Sequence, residues 1–145
     1  MSTIILTVAM AAVLAACGKA EKTSPAASDD VKRIEVEGGA FQDVMPARLN
    51  EMLKKKDFVF INVHVPYQGE IANTDLFIPY DRIQDQPSQL PKDKKAKIVL
   101  YCRSGYMSAL AAQTLVKLNY SNVGSLHGGM DLWEKDGYPL QTVSR

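Results

Sequence analysis

The residue pattern predicts an α/β domain on a mostly parallel sheet, and three observations predict it. Residues 58–63 (Phe-Val-Phe-Ile-Asn-Val) and 98–101 (Ile-Val-Leu-Tyr) are short, nearly continuous apolar runs. Such runs suit central parallel strands covered on both faces. Helical patterns separate the strand candidates, and strands alternating with helices imply parallel pairing through right-handed crossovers.

Taken in order, residues 31–37 make a first strand, with Ile34 and Val36 on one face, and Gly38-Gly39 ends it. Residues 46–56 suit a helix, because Leu49, Met52 and Leu53 recur at helical spacing. Residues 75–80 form a shorter strand ending near Pro79. The polar stretch 81–97 holds Pro87 and Pro91, with a short helix around 83–90. The strongest helical pattern runs from Ser104 or Tyr106 to Leu118, with Met107, Leu110, Ala111, Leu115 and Leu118 expected on its buried face. Residues 122–126 give the last strand, Gly128-Gly129 a turn, and 130–136 a short helix ended by Gly137-Tyr138-Pro139. No internal repeat is visible.

The chain has 145 residues, 46% hydrophobic and 23% charged, with a formal net charge of +1. That length suits one domain with a proper core. The balanced charge and the lack of a long basic run argue against a nucleic-acid partner. Two cysteines, Cys17 and Cys102, supply neither a disulfide framework nor metal-ligand spacing. The cysteines thus suggest no metal site, and no motif in the sequence calls for a cofactor.

Residues 1–16 carry no charged side chain. Their apolar stretch is shorter than the about 20 residues a spanning helix needs, and has the length of a signal-peptide core. It closes in Leu14-Ala15-Ala16-Cys17, which resembles the lipobox of bacterial lipoproteins. That resemblance implies cleavage before Cys17 and lipid on its sulfur. Residues 17–30 read as a flexible tether, rich in Ala, Ser, Lys, Glu and Asp and lacking large apolar side chains. The expected organisation is a signal peptide over 1–16, a lipidated tether over 17–30 and a domain over 31–145. The expected location is the cell envelope, lipid-anchored to a membrane and facing the periplasm or the exterior.

Cys102 is the candidate for the chemistry; the alternative, a buried structural cysteine, fits its strand–turn–helix position less well. Cys102 follows an apolar strand run and precedes Arg103-Ser104-Gly105, after which a helix begins. The free amides and the dipole at a helix N-terminus favour negative charge, and the thiolate is the reactive form of cysteine. In parallel α/β sheets, ligands sit at the carboxyl ends of the strands, where this thiol is expected.

Three segments together resemble the rhodanese family of sulfurtransferases. They are Phe58 to His64; Tyr101-Cys102-Arg103-Ser104-Gly105-Tyr106-Met107-Ser108; and Gly128-Gly129-Met130-Asp131-Leu132-Trp133 with Gly137-Tyr138-Pro139-Leu140. The resemblance implies a doubly wound, mostly parallel five-stranded sheet flanked by helices. It implies sulfur transfer through a persulfide on Cys102, from a small donor such as thiosulfate, a polysulfide or a persulfide. The acceptor would be a thiol, a cyanide-like molecule or a protein. The loop Arg103, Ser104, Gly105, Tyr106 and Met107 would cradle the anion with its amides. The chain departs from the family pattern where Met107 replaces a common arginine, Asn62 an aspartate, His64 an arginine and Glu70 a histidine. A neutral Asn62 beside His64 can still hydrogen-bond. These departures point to a donor other than thiosulfate.

Other chemistries fit less well. A cysteine phosphatase would need an arginine closing a longer loop, where Ser108 stands. A thioredoxin-like enzyme would need a second cysteine, and position 105 is glycine. The rival reading is a non-catalytic binding or sulfur-carrier module. His64 reads as a structural or substrate-rim residue rather than a general base, His127 as turn structure and Trp133 as core. Ser108 suits either a site hydroxyl or a helix start. The Lys54-Lys55-Lys56 run suits a solvated helix end.

Overall fold

The structure, a computed structural model, describes residues 30–144. The apolar segment 1–16, Cys17 and the tether up to residue 29 lie outside the described residues. No helix among the described residues is long and apolar enough to cross a membrane.

The elements follow the order β1 (Val31–Val36), β2 (Gly39–Val44), α1 (Pro46–Lys54), β3 (Val59–Asn62), β4 (Leu76–Phe77), β5 (Ile98–Tyr101), α2 (Tyr106–Lys117), β6 (Val123–Leu126) and α3 (Gly129–Lys135). A single 3-10 turn at Ile83–Asp85 occupies the polar stretch. The sheet has six strands in the order β1-β2-β6-β5-β3-β4. All neighbours pair in parallel except β1 with β2.

The strand count corrects the expected five. Gly38-Gly39 does not end the first strand outright but turns it into a hairpin, with Val36 opposite Gly39 and Val31 opposite Val44. Gly38 at φ +89° supplies the left-handed backbone that such a turn requires. The second hairpin strand then joins the parallel sheet through β6.

Alternating side chains of the central strands feed two cores. Ile98, Leu100 and Cys102 pack with Ile61, Val63, Ala111, Ala112 and Leu115 beneath α2. Val99 and Tyr101 pack on the other face with Phe60, Leu49, Met130 and Trp133, beneath α1 and α3. Trp133 is thus core, as expected, and its indole N–H donates to Pro139 O at 3.0 Å.

The buried face of α2 is Ser108, Ala111, Ala112, Leu115 and Val116. Of the expected face, Ala111 and Leu115 are buried and Met107 and Leu118 pack against the core part-buried, but its centre is shifted toward Ser108, Ala112 and Val116. The small residues let the helix lie close to the sheet, and Ser108 turns inward because its hydroxyl has partners there. Leu110 instead lines an open groove of about 260 Å³ with Tyr80, Ile83 and Thr114.

Successive strands step outward from β3 to β4, then return to β5 on the other side of β3 and continue to β6. The direction of winding therefore reverses between β3 and β5. A crevice opens at such a reversal, at the carboxyl ends of the strands. Cys102 follows directly on β5.

Candidate active site

Cys102 is 1% exposed, and its Sγ faces the first turn of α2. The Gly105 N–H donates to Sγ at 3.1 Å. Gly105 caps α2 at φ +92°, a backbone geometry that glycine adopts freely and an L side chain resists. A Cβ there would also lie 3.2 Å from Gly128 N. The loop is thereby shaped to aim an amide at the sulfur, and the aligned α2 amides add positive potential.

The remaining expected loop residues fall into different environments. Ser104 is exposed, and Tyr106 is 70% exposed, a large aromatic ring standing in solvent beside the loop. Met107 is partly buried and packs against the α2-side core. Arg103 turns toward α3, where its Nε lies 2.6 Å from Asp131 Oδ1 and its Nη2 3.1 Å from Glu134 Oε2. Two carboxylates thus answer the one guanidinium charge next to the thiol.

Ser108 is fully buried. Its Oγ lies 3.6 Å from Sγ, donates to Gly105 O at 3.1 Å, and accepts from Ser125 Oγ at 2.9 Å. Ser108 lies in the first turn of α2, as the helix-start reading has it, but it makes no capping bond and its hydroxyl faces Sγ.

His64 is 8% exposed at the end of the chain segment continuing β3. Val63 N–H donates to Tyr101 O at 2.9 Å, so His64 emerges beside the end of β5. Its Nε2 pairs with Gln68 Oε1 at 3.0 Å, while Nδ1 is buried without a protein partner. Asn62 sets this loop. Its Nδ2 donates to Gly69 O at 3.1 Å, and its Oδ1 accepts the His64 main-chain N–H at 3.0 Å. An amide can donate and accept at once, whereas a carboxylate only accepts. The expected Asn62–His64 hydrogen bond therefore exists, but through the backbone rather than the ring. Glu70 is buried, and its main chain bridges to Gln141.

The Tyr101 hydroxyl braces the same region from below, accepting the Ile71 N–H at 3.0 Å and meeting Thr74 Oγ1 at 2.7 Å. Burial pushes its ionisation above the ordinary tyrosine range, so it stays a neutral hydroxyl. His127 follows β6 in the turn, half-exposed, with Nδ1 2.7 Å from Asp43 Oδ2, which adds a side-chain pair to its turn position. Among the described residues, no group of three His, Cys, Asp or Glu side chains forms a metal site.

The first turn of α3 holds the loop from behind. Met130 N–H donates to Cys102 O and Asp131 N–H to Arg103 O, both at 2.9 Å. Asp131 therefore grips Arg103 by main chain and side chain together.

The thiol stands at the carboxyl end of β5 and over the start of α2, where the strand–turn–helix pattern placed it; its burial and its place at the winding reversal are added by the structure. The rhodanese-like domain pattern matches residues 45–136. The chain belongs to the rhodanese-like domain family.

Relatives within this family are similar at modest identity. A sulfurtransferase from Allochromatium vinosum is 33% identical over 88 residues, covering 59% of this chain and 79% of that protein. A tRNA uridine(34) hydroxylase from Erwinia tasmaniensis is 33% identical over 90 residues, 58% of this chain, but the match spans only 26% of that longer protein. The crystal structure of a rhodanese-related protein from Thermoplasma volcanium superposes with a TM-score of 0.58 at 29% identity. That match covers 68% of this chain and 95% of the other. The rhodanese-like fold, with its mostly parallel sheet flanked by helices, is shared with it.

Three residues around Cys102 were not anticipated: Ser125, and Asp131 and Glu134 as partners of Arg103. Ser125 had a visible signal, a polar side chain inside the apolar run Val123-Gly124-Ser125-Leu126. Asp131 and Glu134 had a weaker one, two acids spaced i, i+3 on the helix behind the loop.

Proposed function

We propose that this rhodanese-like domain transfers sulfane sulfur from a small donor to a thiophilic acceptor through a persulfide on Cys102. The observation that carries the reading is the Gly105 amide 3.1 Å from Sγ at the mouth of the sheet. A persulfide is an anion, and preorganised amides stabilise it at little reorganisation cost. Intact mass after incubation with a donor tests the reading directly.

The charge balance of the loop bears on the donor. Met107 brings no charge, and Arg103 is already neutralised by Asp131 and Glu134. Thiosulfate, a dianion, is therefore a poorer donor here than a persulfide, whose charge is lower. Met107→Arg is expected to raise the rate with thiosulfate roughly ten-fold, since a unit charge near a partly buried anion is worth on the order of 1 kcal/mol or more. The rate with a persulfide donor should change far less. No gain with thiosulfate, in a variant that melts like the wild type, would show that the missing charge is not limiting.

The domain also hangs from an envelope membrane by lipid on Cys17, a reading supported by Leu14-Ala15-Ala16-Cys17 closing an uncharged apolar segment. Cys17→Ser is then expected to abolish labelling of the chain by a fatty-acid analogue in cells. Labelling that persists would sink the anchor.

A further inference from the structure

We propose that Ser108 and Ser125 form a two-hydroxyl switch behind Cys102 that takes the place of a cation in holding negative charge on the sulfur. The proposal rests on the reading of Cys102 as a nucleophile and deepens it.

The starting point is a residue in the wrong surroundings. β6 is buried at every position, and central parallel strands buried on both faces favour Val, Ile and Leu. Ser125 nevertheless sits there at 2% exposure, between β2 and β5. A buried hydroxyl costs free energy unless it is hydrogen-bonded. Ser125 has its partner in Ser108, at 2.9 Å, and Ser108 reaches on to Cys102. The chain of hydroxyls leads from the sheet to the sulfur.

The bond directions give it a function. With the thiol protonated, S–H donates to Ser108 Oγ, and the Ser108 O–H donates to Gly105 O. When the thiol proton leaves to a base in solvent, Sγ can only accept. Rotation of the Ser108 O–H toward Sγ then gives the thiolate a second donor beside the Gly105 amide. The Gly105 carbonyl is not stranded by that rotation, because it also accepts the Ala109 N–H at 3.1 Å. Ser125 keeps donating to Ser108 Oγ in both states, and chained hydrogen bonds strengthen one another in a low-dielectric interior. Ser108 touches the reacting atom and is a catalytic residue; Ser125 acts through it and is a positioning residue. The same rotation serves the persulfide anion.

The device matters here because charge is scarce. Arg103 is held by two carboxylates and Met107 packs on the core. Neutral hydroxyls hold an anion without demanding a charged donor.

Alkylation of Cys102 by iodoacetamide in the full-length chain, followed on the Cys102 peptide by mass spectrometry, reads the thiolate with no sulfur donor present. Its outcome is therefore separable from that of sulfur transfer. Ser108→Ala is expected to slow alkylation at neutral pH about ten-fold and Ser125→Ala about three-fold, the scale of a hydrogen bond to a charged group and of its support. Both should converge on the wild-type rate at alkaline pH, where every thiol is ionised. Ser125→Thr, which keeps the hydroxyl, should restore the neutral-pH rate. Distortion alone would slow the reaction equally at every pH. Two results overturn the proposal: both alanine variants fold and react at the wild-type rate at neutral pH, or their deficit persists unchanged at alkaline pH. Should Ser108→Ala fail to fold, the two Ser125 variants decide. Should all fail, the wild type decides alone: its rate relative to the urea-unfolded chain must be higher at neutral than at alkaline pH, and a ratio flat with pH overturns the switch.

Discussion

Incubated with a persulfide or thiosulfate donor, the wild-type chain is expected to gain the mass of one sulfur atom, and the Cys102→Ser chain to gain nothing. The Cys102 thiolate attacks the outer sulfur of the donor. The donor's sulfur–sulfur bond breaks, and the leaving thiolate or sulfite carries away the bonding pair. Cys102 is left as Cys–S–S⁻, with the outer sulfur ready for a thiol or cyanide-like acceptor. A serine hydroxyl at the same place is nearly isosteric but remains protonated, and no base that could activate it touches Sγ in the described hydrogen bonds. The fold should survive, because the side chain contributes little volume to its core, so loss of loading reports chemistry. Loss of turnover should exceed about a thousand-fold, the scale on which a missing nucleophile acts. Peptide mapping of the added sulfur separates Cys102 from Cys17. Equal loading of wild type and variant would end the sulfurtransferase reading. Loading of the wild type without turnover to any acceptor would favour a sulfur carrier instead.

How far the sequence discloses this site depends on the range of the interactions involved. β3, β5 and α2 are legible because burial on both faces writes itself as continuous apolar runs, and one-sided burial as helical spacing. The Cys102 loop is legible because a strand, a small-residue turn and a helix start follow one another within a few residues. β2 is missed because Gly38-Gly39 serves two opposite ends: it can stop a strand or fold it back. Only pairing with β6, more than eighty residues downstream, decides for the hairpin. The face of α2 is legible only in part, for a related reason. Hydrophobicity alone favours Met107 and Leu110, yet the hydrogen bonds of Ser108 and the close approach allowed by Ala111 and Ala112 turn the helix. The fate of Arg103 is the clearest case. Its charge is apparent in the sequence, but its direction is set by Asp131 and Glu134 on a helix that folds in from behind.

That bracing helix makes Gly129 the position with the largest expected effect on stability. A Cβ at Gly129 would lie 2.4 Å from Cys102 O and 2.6 Å from Arg103 O. Both are backbone atoms, so no rotamer change relieves the overlap. Its φ of +58° adds about 1–2 kcal/mol for any L side chain. To make room, the loop must withdraw from α3 and give up the bonds from Met130 N–H to Cys102 O and from Asp131 N–H to Arg103 O. Gly129→Ala is therefore expected to cost at least about 3 kcal/mol, near the upper end for single substitutions. At about 4 °C per kcal/mol for a domain of this size, the midpoint of thermal unfolding should fall by roughly 12 °C. Sulfur loading should fall more than about ten-fold even at temperatures where the variant is folded, because a displacement near 1 Å at the nucleophile is costly. Gly137→Ala is the matching control. Its φ is +87°, but a Cβ there meets nothing within 4 Å, so it pays the backbone term without the collision. It should melt only a few degrees lower and load sulfur at the wild-type rate. If Gly129→Ala behaves like Gly137→Ala, the loop has another way to stand. The placement of Cys102 then belongs to β5 and α2 alone, with α3 no more than a neighbour.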